Sequence, residues 1–362
     1  MVRPGQATLS FLTCEASSRM MQKLLTGGRF VILLALILAP ATVQANDEPL
    51  FNGSEMLQIT ISGNFSELTA DDGVERDWHP FELQVNDNIL DVKLRLRGNF
   101  RRKECTFPPI TVNFNKKQVQ GTVFEGQDKL KLVTHCRKWH SFSVNNYEEY
   151  VAYRLFNQIT DKSFRVRLLS VSYEQAGKKP KLKPAFFIED VGSMAKRLDG
   201  EHIEPDFIRS KELDPLHLTQ AAIFQYLIGN TDFSFIAPLE GRSCCHNAKL
   251  VRIATNTYSI PYDFDFSGLV DAPYAGANPM VKSSNVRKRR YRGFCTDKQT
   301  LPAALDSFQT LEAELPNLFA SVTGFDAKQS SRSTSYLQRF FTAASKSGSQ
   351  VFESHCRNTR PG

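Results

Sequence analysis

Two aspartates that follow an apolar run are the strongest candidates for chemistry in this 362-residue chain. Asp263 and Asp265 lie in the string Ser-Ile-Pro-Tyr-Asp-Phe-Asp-Phe of residues 259–266. About thirty residues earlier Asp232 ends the string Gly-Asn-Thr-Asp, and Asn247 lies between the two strings. Carboxylate and carboxamide oxygens at strand ends are groups that hold Mg²⁺ against the phosphates of a nucleotide. The pattern therefore predicts phosphoryl transfer.

A helix must position the first of these aspartates. Asp214 followed by Pro215 is a helix start signal, because an N-cap residue precedes a proline at the first helical position. Gly229 is a natural stop for the same helix. Asp232 is therefore expected on the loop after a buried helix, which is a common location for catalytic residues.

A hairpin must position the other candidates. Residues 248–253 and 257–260 read as two strands with a reversal at 255–256. Because positions equidistant from a hairpin turn face each other, Asn247 and Asp263 are expected to meet at its open end. If the preceding loop folds back, Asp232 joins them there.

The remaining sequence predicts an α+β protein with strands in its first half. Strands are expected at residues 56–62, 81–85, 92–96, 110–114, 129–133, 166–173 and 184–188. A helix interrupts them. Asn146 is expected to cap this helix, with Glu148 and Glu149 stabilising its first turn. The chain from about Pro302 onward is expected to be helical.

The N-terminus has the features of a secretory signal. Two basic residues precede the apolar run at 30–39, and Val-Gln-Ala at 43–45 forms a small-residue cleavage site. The run is shorter than the roughly 20 residues of a membrane-spanning helix. Residues 1–45 are therefore predicted as a signal peptide, of which residues 1–19 are a mis-assigned start. It would deliver the chain to the periplasm or the outside. An uncleaved N-terminal anchor is the alternative.

The positive charge is concentrated in one segment. Residues 1–45 contain four of the 45 Lys+Arg and one of the 38 Asp+Glu, so 41 bases and 37 acids follow them. Six of these bases lie at 282–292, a stretch without an acid. Because the rest is slightly acidic, the composition excludes a nucleic-acid-coating protein and predicts no sequence-specific nucleic-acid partner. The segment suits an anionic substrate, a lipid head group or phosphates, or it is a solvated loop.

The cysteines agree with export. Six of the seven lie beyond the predicted signal, and an even number favours disulfides in an oxidising compartment. The chain has no CxxC pair, which argues against a zinc site. Cys105 and Cys136 flank predicted strands and are the expected pair. Adjacent Cys244 and Cys245 are expected to bond to different partners, and Cys356 to tether the C-terminal tail.

The order of these features resembles the CotH family, the spore-coat-type atypical protein kinases. The matching motifs are Leu-Arg-Gly-Asn at 96–99, Lys-Leu-Lys-Leu at 129–132, Phe-Ile-Glu-Asp-Val at 187–191, Gly-Asn-Thr-Asp at 229–232, the strand of Asn247, and Ile-Pro-Tyr-Asp-Phe-Asp at 260–265. The resemblance implies a two-lobed kinase-like fold. Its strand-rich N-lobe would span 46–195 and its helix-rich C-lobe 196–345, with a loose tail at 346–362.

The resemblance also implies roles for the residues of the second half. Asp232 would be the catalytic base that receives the hydroxyl proton of the acceptor. Asn247 and Asp263 would bind Mg²⁺, with Asp265 close by. In the family the asparagine follows the catalytic aspartate closely, whereas fifteen positions separate the two residues here.

Three residues of the first half would serve the nucleotide, which is ATP or another nucleoside triphosphate. Lys131 would contact its phosphates, and Glu189 would orient that lysine or reach the metal. Arg97 would cover the phosphates from the first lobe. A base, hard oxygen ligands and a cation form a minimal set for phosphoryl transfer, which depends on positioning and charge neutralisation.

The sequence is compatible with three functions. The first is an exported kinase-like phosphotransferase that acts on a protein or an anionic envelope acceptor. The second is a catalytically inactive kinase-like binding module that grips an anionic envelope component or partner through residues 282–292. The third is a hydrolase whose metal is held by Asp263, Asp265 and His246 and activates water.

Overall fold

Alternating apolar side chains close the first half of the chain into a barrel. The computed structural model describes residues 48–71, 73, 75–238, 243–279, 281, 283–295 and 300–357. Its strands are β1 (Leu57–Gly63), β2 (His79–Val85), β3 (Asn88–Leu96), β4 (Ile110–Phe114), β5 (Lys129–Val133), β6 (Val166–Glu174), β7 (Lys181–Ile188), β8 (Glu201–Ile203), β9 (Ala248–Ile253) and β10 (Asn256–Pro261). The closed barrel has the order β1-β2-β3-β4-β5-β7-β6. In it β1 and β6 run parallel, and the other neighbours are antiparallel.

Helices and a small sheet complete the fold. The helices are α1 (Pro49–Asn52), α2 (Phe65–Ala70), α3 (Phe100–Glu104), α4 (His140–Ile159), α5 (Val191–Arg197), α6 (Pro215–Ile228), α7 (Thr300–Asp306), α8 (Leu311–Ala320), α9 (Ala327–Ser347) and α10 (Gln350–Glu353). The small sheet has the order β10-β9-β8. Its hairpin of β9 and β10 is the one that the sequence predicts.

The barrel is filled by the inward residues of its strands. In β3, the buried Leu90, Val92, Leu94 and Leu96 alternate with more exposed residues, as the two-residue period of a strand requires. The same alternation in the neighbouring strands produces one apolar core inside the barrel. The closed arrangement leaves the strands paired on both sides.

A second apolar core lies outside the barrel and contains α4. The Tyr153 ring lies 5.7 Å from the Phe186 ring of β7 and 4.6 Å from the Phe264 ring. The rings of Phe156 and Phe224 are 4.6 Å apart and join α4 to α6. Consequently α4 stands between the barrel and the segment that carries the two aspartates after β10.

The start of α4 differs from the prediction. The helix begins at His140, so Asn146 lies inside it, and its side-chain amide donates to two carbonyls at the end of β5. The predicted cap is wrong because the residues before it, among them the buried Phe142, already extend the packed face. Glu148 and Glu149 therefore lie within the helix, 5% and 2% exposed, and do not stabilise a first turn.

The fold class is α+β, as the sequence predicts. The first half is strand-rich, but its closed barrel is not the typical sheet of a kinase N-lobe. The described residues belong to one compact unit. The two-lobed, kinase-like arrangement with lobes at 46–195 and 196–345 stays a prediction.

Three disulfides join described cysteines: Cys105–Cys136, Cys244–Cys245 and Cys295–Cys356. The first was expected, and the third tethers the C-terminal segment as predicted. The expectation that Cys244 and Cys245 bond to different partners is wrong, because the other four described cysteines already pair among themselves.

The described part of the C-terminal segment contains α10 where the sequence predicts a loose tail. Arg357 pairs there with the chain at 292–295: its N–H donates to the Gly293 carbonyl at 2.8 Å, and its carbonyl accepts the N–H of Cys295 at 3.0 Å. No helix of the described ranges combines the length and the apolar character needed to cross a membrane. The predicted signal peptide, residues 1–45, lies outside the described residues.

Candidate active site

Asp232 lies on the loop that follows α6, as the sequence predicts. Asp214 caps the helix by accepting the N–H of His217 at 2.9 Å. Gly229 ends it in the left-handed region with φ of 68°, where a Cβ would collide with the hydroxyl of a tyrosine of α9. The buried Asn230 then accepts the N–H of Asp232 through Oδ1 at 2.9 Å. The base of the loop is therefore held rigidly.

Both carboxylate oxygens of Asp232 are engaged by the residues that precede β9. His246 Nε2 lies 2.9 Å from Oδ1. Asn247 Nδ2 donates to Oδ2 at 3.0 Å and to the main-chain carbonyl of Asp232 at 2.7 Å. The fold thus closes the fifteen-residue separation between aspartate and asparagine. His246 contacts Asp232, whereas the hydrolase hypothesis groups it with Asp263 and Asp265.

The hairpin brings Asp263 to the same end. The carbonyl of Asn247 accepts the N–H of Tyr262 at 3.1 Å. The turn lies one residue earlier than predicted, at residues 254–255. Asn247 therefore pairs with Tyr262, the residue before Asp263. Asp263 is the next residue after this last pair, and its φ of 64° turns the chain out of the strand.

The two aspartates after β10 have different environments. Asp263 is half-buried, and its N–H donates to the Tyr153 hydroxyl at 2.8 Å. Asp265 is 4% exposed, accepts the Tyr274 hydroxyl at 3.0 Å and lies 3.8 Å from Arg101 Nε. Burial raises the pKa of Asp265, and the charge of Asp263 raises it further. Negative charge is therefore crowded here beyond what the nearby arginine compensates.

A partly buried ion pair accompanies these aspartates. Arg101 NH1 lies 3.3 Å from Glu149 Oε2. Burial raises the pKa of Glu149, and Asp265 and Asp263 add to this, although Arg101 opposes it. Burial alone would lower the pKa of Arg101, but Tyr274, Glu149 and Asp265 raise it above its ordinary value. Arg101 is thus a permanent cation within the acidic cluster.

Sequence reasoning missed Arg101 and assigned Glu149 to a helix start. One signal was available, because Glu149 and Tyr153 are four positions apart and share a face of a helix. A helix that begins at His140 places Glu149 and Tyr153 in its middle, where a shared face is typically buried. Arg101 carried no such signal, because its partners lie far along the chain.

Lys131 and Arg97 lie within electrostatic range of the site. Lys131 Nζ is 5.1 Å from the ring centre of Tyr262. Burial, aided by the charges of Arg97 and Lys249, lowers the pKa of Lys131 to about 8, while Asp263 opposes the shift. The lysine therefore senses both the predicted phosphate-covering arginine and the predicted metal ligand.

Glu189 directly follows Ile188, the strand partner of Lys131, but its side chain pairs with other residues. It is 2% exposed, and its carboxylate oxygens lie 2.8 Å and 2.9 Å from Arg197 Nε and NH2. It also accepts the N–H of Arg165 at 2.9 Å. Because these donors occupy the carboxylate, the predicted pairing with Lys131 is not formed, and Glu189 instead anchors α5.

The arginines of the basic segment at 282–292 make many contacts within the protein. Arg287 NH1 lies 2.9 Å from Asp271 Oδ2. Arg289 donates to main-chain carbonyls of α6 and α9 at 3.0 Å and 2.6 Å. Lys288 is exposed. Lys282 lies outside the described residues. The segment is therefore packed against the helices rather than wholly solvated.

Arg292 supports the loop of Asp232. Its NH1 donates to the carbonyl of Thr231 and, at 3.0 Å, to that of Phe233. These two residues flank Asp232 in the chain. The guanidinium also lies 5.1 Å from the ring centre of Phe233. Arg292 thus holds the backbone on both sides of the candidate base.

Neither a ready-made metal site nor a similar known protein identifies the function of this site. Within the described ranges, no group of three or more His, Cys, Asp or Glu side chains is arranged to hold a metal ion. The sequence matches no protein-family model, and no curated protein is significantly similar to it. The geometry of the site and the order of its motifs are therefore the observations that bear on function.

Proposed function

We propose that the protein is an exported, kinase-like phosphotransferase that uses Mg²⁺ and a nucleoside triphosphate to phosphorylate a hydroxyl of a protein or envelope acceptor. The observation that carries this proposal is the direct contact of Asn247 with Asp232, through both its carboxylate and its carbonyl. Asp263 follows the hairpin pair next to Asn247. A candidate base and two hard oxygen ligands therefore share one end of a rigid hairpin, as phosphoryl transfer requires.

The residues present fit a magnesium ion. Mg²⁺ usually binds through one or two carboxylates together with phosphates and water, so a cage of three acidic side chains is unnecessary. Nδ2 of Asn247 is the atom that donates to Asp232, which leaves Oδ1 as the ligand atom. Asp263 would supply the carboxylate, with Asp265 behind it. When bound, the ion would neutralise phosphate charge.

Asp232 would accept the proton of the acceptor hydroxyl. Asn247 and His246 fix the orientation of its carboxylate, and Arg292 fixes the backbone on both sides. Such positioning is the main contribution a protein makes to this reaction. Lys131, with a pKa of about 8, is mostly protonated at neutral pH and would add positive charge near the phosphates.

The element order supports the kinase-like reading and reveals one departure from it. Protein kinases pair a strand lysine with a glutamate of the next helix. Here the next helix after the Lys131 strand is α4, and it presents the buried Glu149. The partner of this glutamate is Arg101. A fixed arginine thus takes the position beside the acidic cluster that a lysine would hold in a kinase.

Export belongs to the same proposal. Three disulfides favour an oxidising compartment, in agreement with the signal predicted at residues 1–45. The binding-module alternative needs the arginines of segment 282–292 for an external anion. Since Arg287, Arg289 and Arg292 make internal contacts, the observations favour the enzyme.

The test is a transfer assay with the chain from Asn46 onward, Mg²⁺ and a panel of γ-labelled nucleoside triphosphates. Wild-type protein should transfer label to itself or to an envelope extract. Asp232→Asn and Asp263→Asn should each abolish transfer. Asp87→Asn, at an exposed turn between β2 and β3, is the matched control and should keep full activity.

A thermal-shift series separates binding from catalysis. Ligands that bind only the folded state raise its melting temperature, so Mg²⁺ with the correct nucleotide should stabilise the wild type and Asp232→Asn. Asp263→Asn should lose the shift while keeping its circular dichroism spectrum. Transfer by both variants at the wild-type rate, or neither a shift nor transfer with any nucleotide, would show that the proposal is wrong.

A further inference from the structure

A lysine of β9 lies close to the residues that would bind the metal. Lys249 follows Asn247 by two positions, which is about 7 Å along an extended chain. The carbonyl of Asn247 accepts the N–H of Tyr262 at 3.1 Å, and the centre of the Tyr262 ring lies 5.1 Å from Lys131 Nζ. Lys249 and Lys131 therefore approach the same end of the hairpin, although the sequence motifs include only Lys131.

The charges in this neighbourhood act on one another. Burial lowers the pKa of Lys131, and the charges of Arg97 and Lys249 add to this. Burial also lowers the pKa of His202; Glu204 opposes this shift, whereas Lys249 and Lys131 both add to it. Because one imidazole senses both ammonium groups, the two lysines and Arg97 form a single cationic cluster.

Two members of this cationic cluster have no ion-pair partner among the described residues. The head groups of Lys131 and Arg97 form neither a hydrogen bond nor an ion pair there, and both residues are half-buried. Their nitrogens do not belong to the fully buried unpaired atoms, so solvent reaches them. Partly desolvated cations that repel each other attract an anion from solution.

The third member, Lys249, has a partner that is easily exchanged. Its Nζ lies 3.0 Å from Glu204 Oε1, and the two side chains are 24% and 51% exposed. Ion pairs of this exposure contribute little to stability. A more highly charged anion beside Asn247 can therefore displace the carboxylate of Glu204 from the lysine.

We propose that Lys249 completes a binding site for a triphosphate chain, and that Glu204 pairs with this lysine while the site is empty. The inference rests on the proposed phosphotransferase function and adds that the donor is recognised chiefly through its phosphates. Three cations spread around the end of a hairpin suit an extended anion, because each can bind a different phosphate. A single phosphate would engage only part of the cluster.

The experiment is calorimetric titration of the chain from Asn46 onward with inorganic tripolyphosphate, pyrophosphate and phosphate, each as its Mg²⁺ complex. The wild type should bind one tripolyphosphate per chain, more tightly than either shorter probe. Lys249→Met should weaken this binding roughly tenfold or more, the effect of one charged hydrogen bond, and Lys249→Arg should keep most of the affinity. Glu204→Gln should strengthen it roughly two- to fivefold, because the competing pair is removed.

The same sheet supplies a matched control. Arg252 NH1 lies 3.2 Å from Glu201 Oε1, so this pair also joins a cation of β9 to an acidic residue at β8. It lies three residues farther from Asn247 than Lys249 does. Arg252→Met and Glu201→Gln should therefore leave tripolyphosphate binding unchanged.

The outcomes separate this inference from the proposed function. Unchanged affinity in Lys249→Met, an equal loss in Arg252→Met, or no heat from the wild type with any probe would overturn it. A loss of affinity in Glu204→Gln would overturn the role of Glu204, whereas the expected gain cannot come from misfolding. Tripolyphosphate binding that depends on Lys249, without label transfer from any nucleotide, would support this inference and contradict the phosphotransferase. Transfer with unchanged tripolyphosphate affinity in Lys249→Met would do the reverse.

Discussion

Replacing Glu148 by glutamine tests the position of α4 through the sign of a pH effect. Glu148 is 5% exposed; its Oε1 accepts the Ser333 hydroxyl of α9 at 2.7 Å, and its Oε2 accepts Asn145 Nδ2 at 3.3 Å. Burial raises its pKa from an ordinary 4.5 to about 7, although both hydrogen bonds oppose the shift. The folded protein therefore binds this proton more tightly than the unfolded chain does.

The direction in which pH changes the stability of the fold follows from that difference in proton binding. Ionisation of Glu148 destabilises the fold, so the penalty is absent below about pH 4.5, grows toward pH 7 and is complete above it. The difference between 4.5 and about 7, at about 1.36 kcal/mol for each pH unit, gives a full penalty of roughly 3 kcal/mol. Roughly 2–3 kcal/mol of it should develop between about pH 5 and pH 8.

Urea denaturation at several pH values between about 5 and 8 measures this penalty. The free energy of unfolding of the wild type, minus that of Glu148→Gln, should fall by roughly 2–3 kcal/mol across that range. Glu312→Gln, at an exposed position in the first turn of α8, is the control and should show almost no such trend. If Glu148 instead stabilised a helix start, the difference would rise with pH. A rising or flat difference would refute the reasoning.

Three further predictions concern stability. Gly229→Ala should lower the free energy of unfolding by roughly 3 kcal/mol and Gly98→Ala by roughly 1 kcal/mol. Both glycines have positive φ, but a methyl group collides only at Gly229. Equal losses of the two variants in denaturant titrations would contradict this prediction. Replacing Cys105 and Cys136 by serine should cost roughly 3–4 kcal/mol in non-reducing denaturation, because their disulfide closes a separation of 31 residues; a loss below about 1 kcal/mol would argue against the bond. Folding lowers the pKa of Lys131 to about 8, so its charge destabilises the fold near pH 7 and is lost above pH 8. Lys131→Met should therefore melt at a higher temperature than the wild type near pH 7 and lack the wild-type gain in stability above pH 8. A variant that melts lower at both pH values would show that burial of the lysine does not destabilise the fold.

Local signals were sufficient for the elements that carry the candidate base and its asparagine. The N-cap at Asp214 and the glycine at 229 define α6 from neighbouring residues alone, and β9 begins and ends at the residues predicted. The contact of Asp232 with Asn247 followed from these elements. It could be predicted because a helix end and a hairpin each fix their own geometry.

The parts that escaped prediction depend on distant residues. Barrel closure requires β1 to pair with β6 across more than one hundred residues, which no local pattern reports. The Arg101–Glu149 pair joins α3 to α4, and the Arg197–Glu189 pair joins α5 to the end of β7. Packing decides which cation neutralises which buried carboxylate. Glu149, expected to stabilise a helix start, therefore lies beside the candidate site, whereas Glu189, expected in the site, pairs with Arg197.

The pairing of Arg357 with residues 292–295 makes the C-terminal segment a support for the candidate active site. The support is locked by the Cys295–Cys356 bond and adjoins Arg292, whose carbonyl accepts Arg357 Nε at 3.0 Å. A deletion that removes this segment would release the support of the Asp232 loop while sparing every residue of the candidate active site. Reducing agents in an assay buffer would break the same support by opening the Cys295–Cys356 bond. Activity should therefore be sought first in fully oxidised protein.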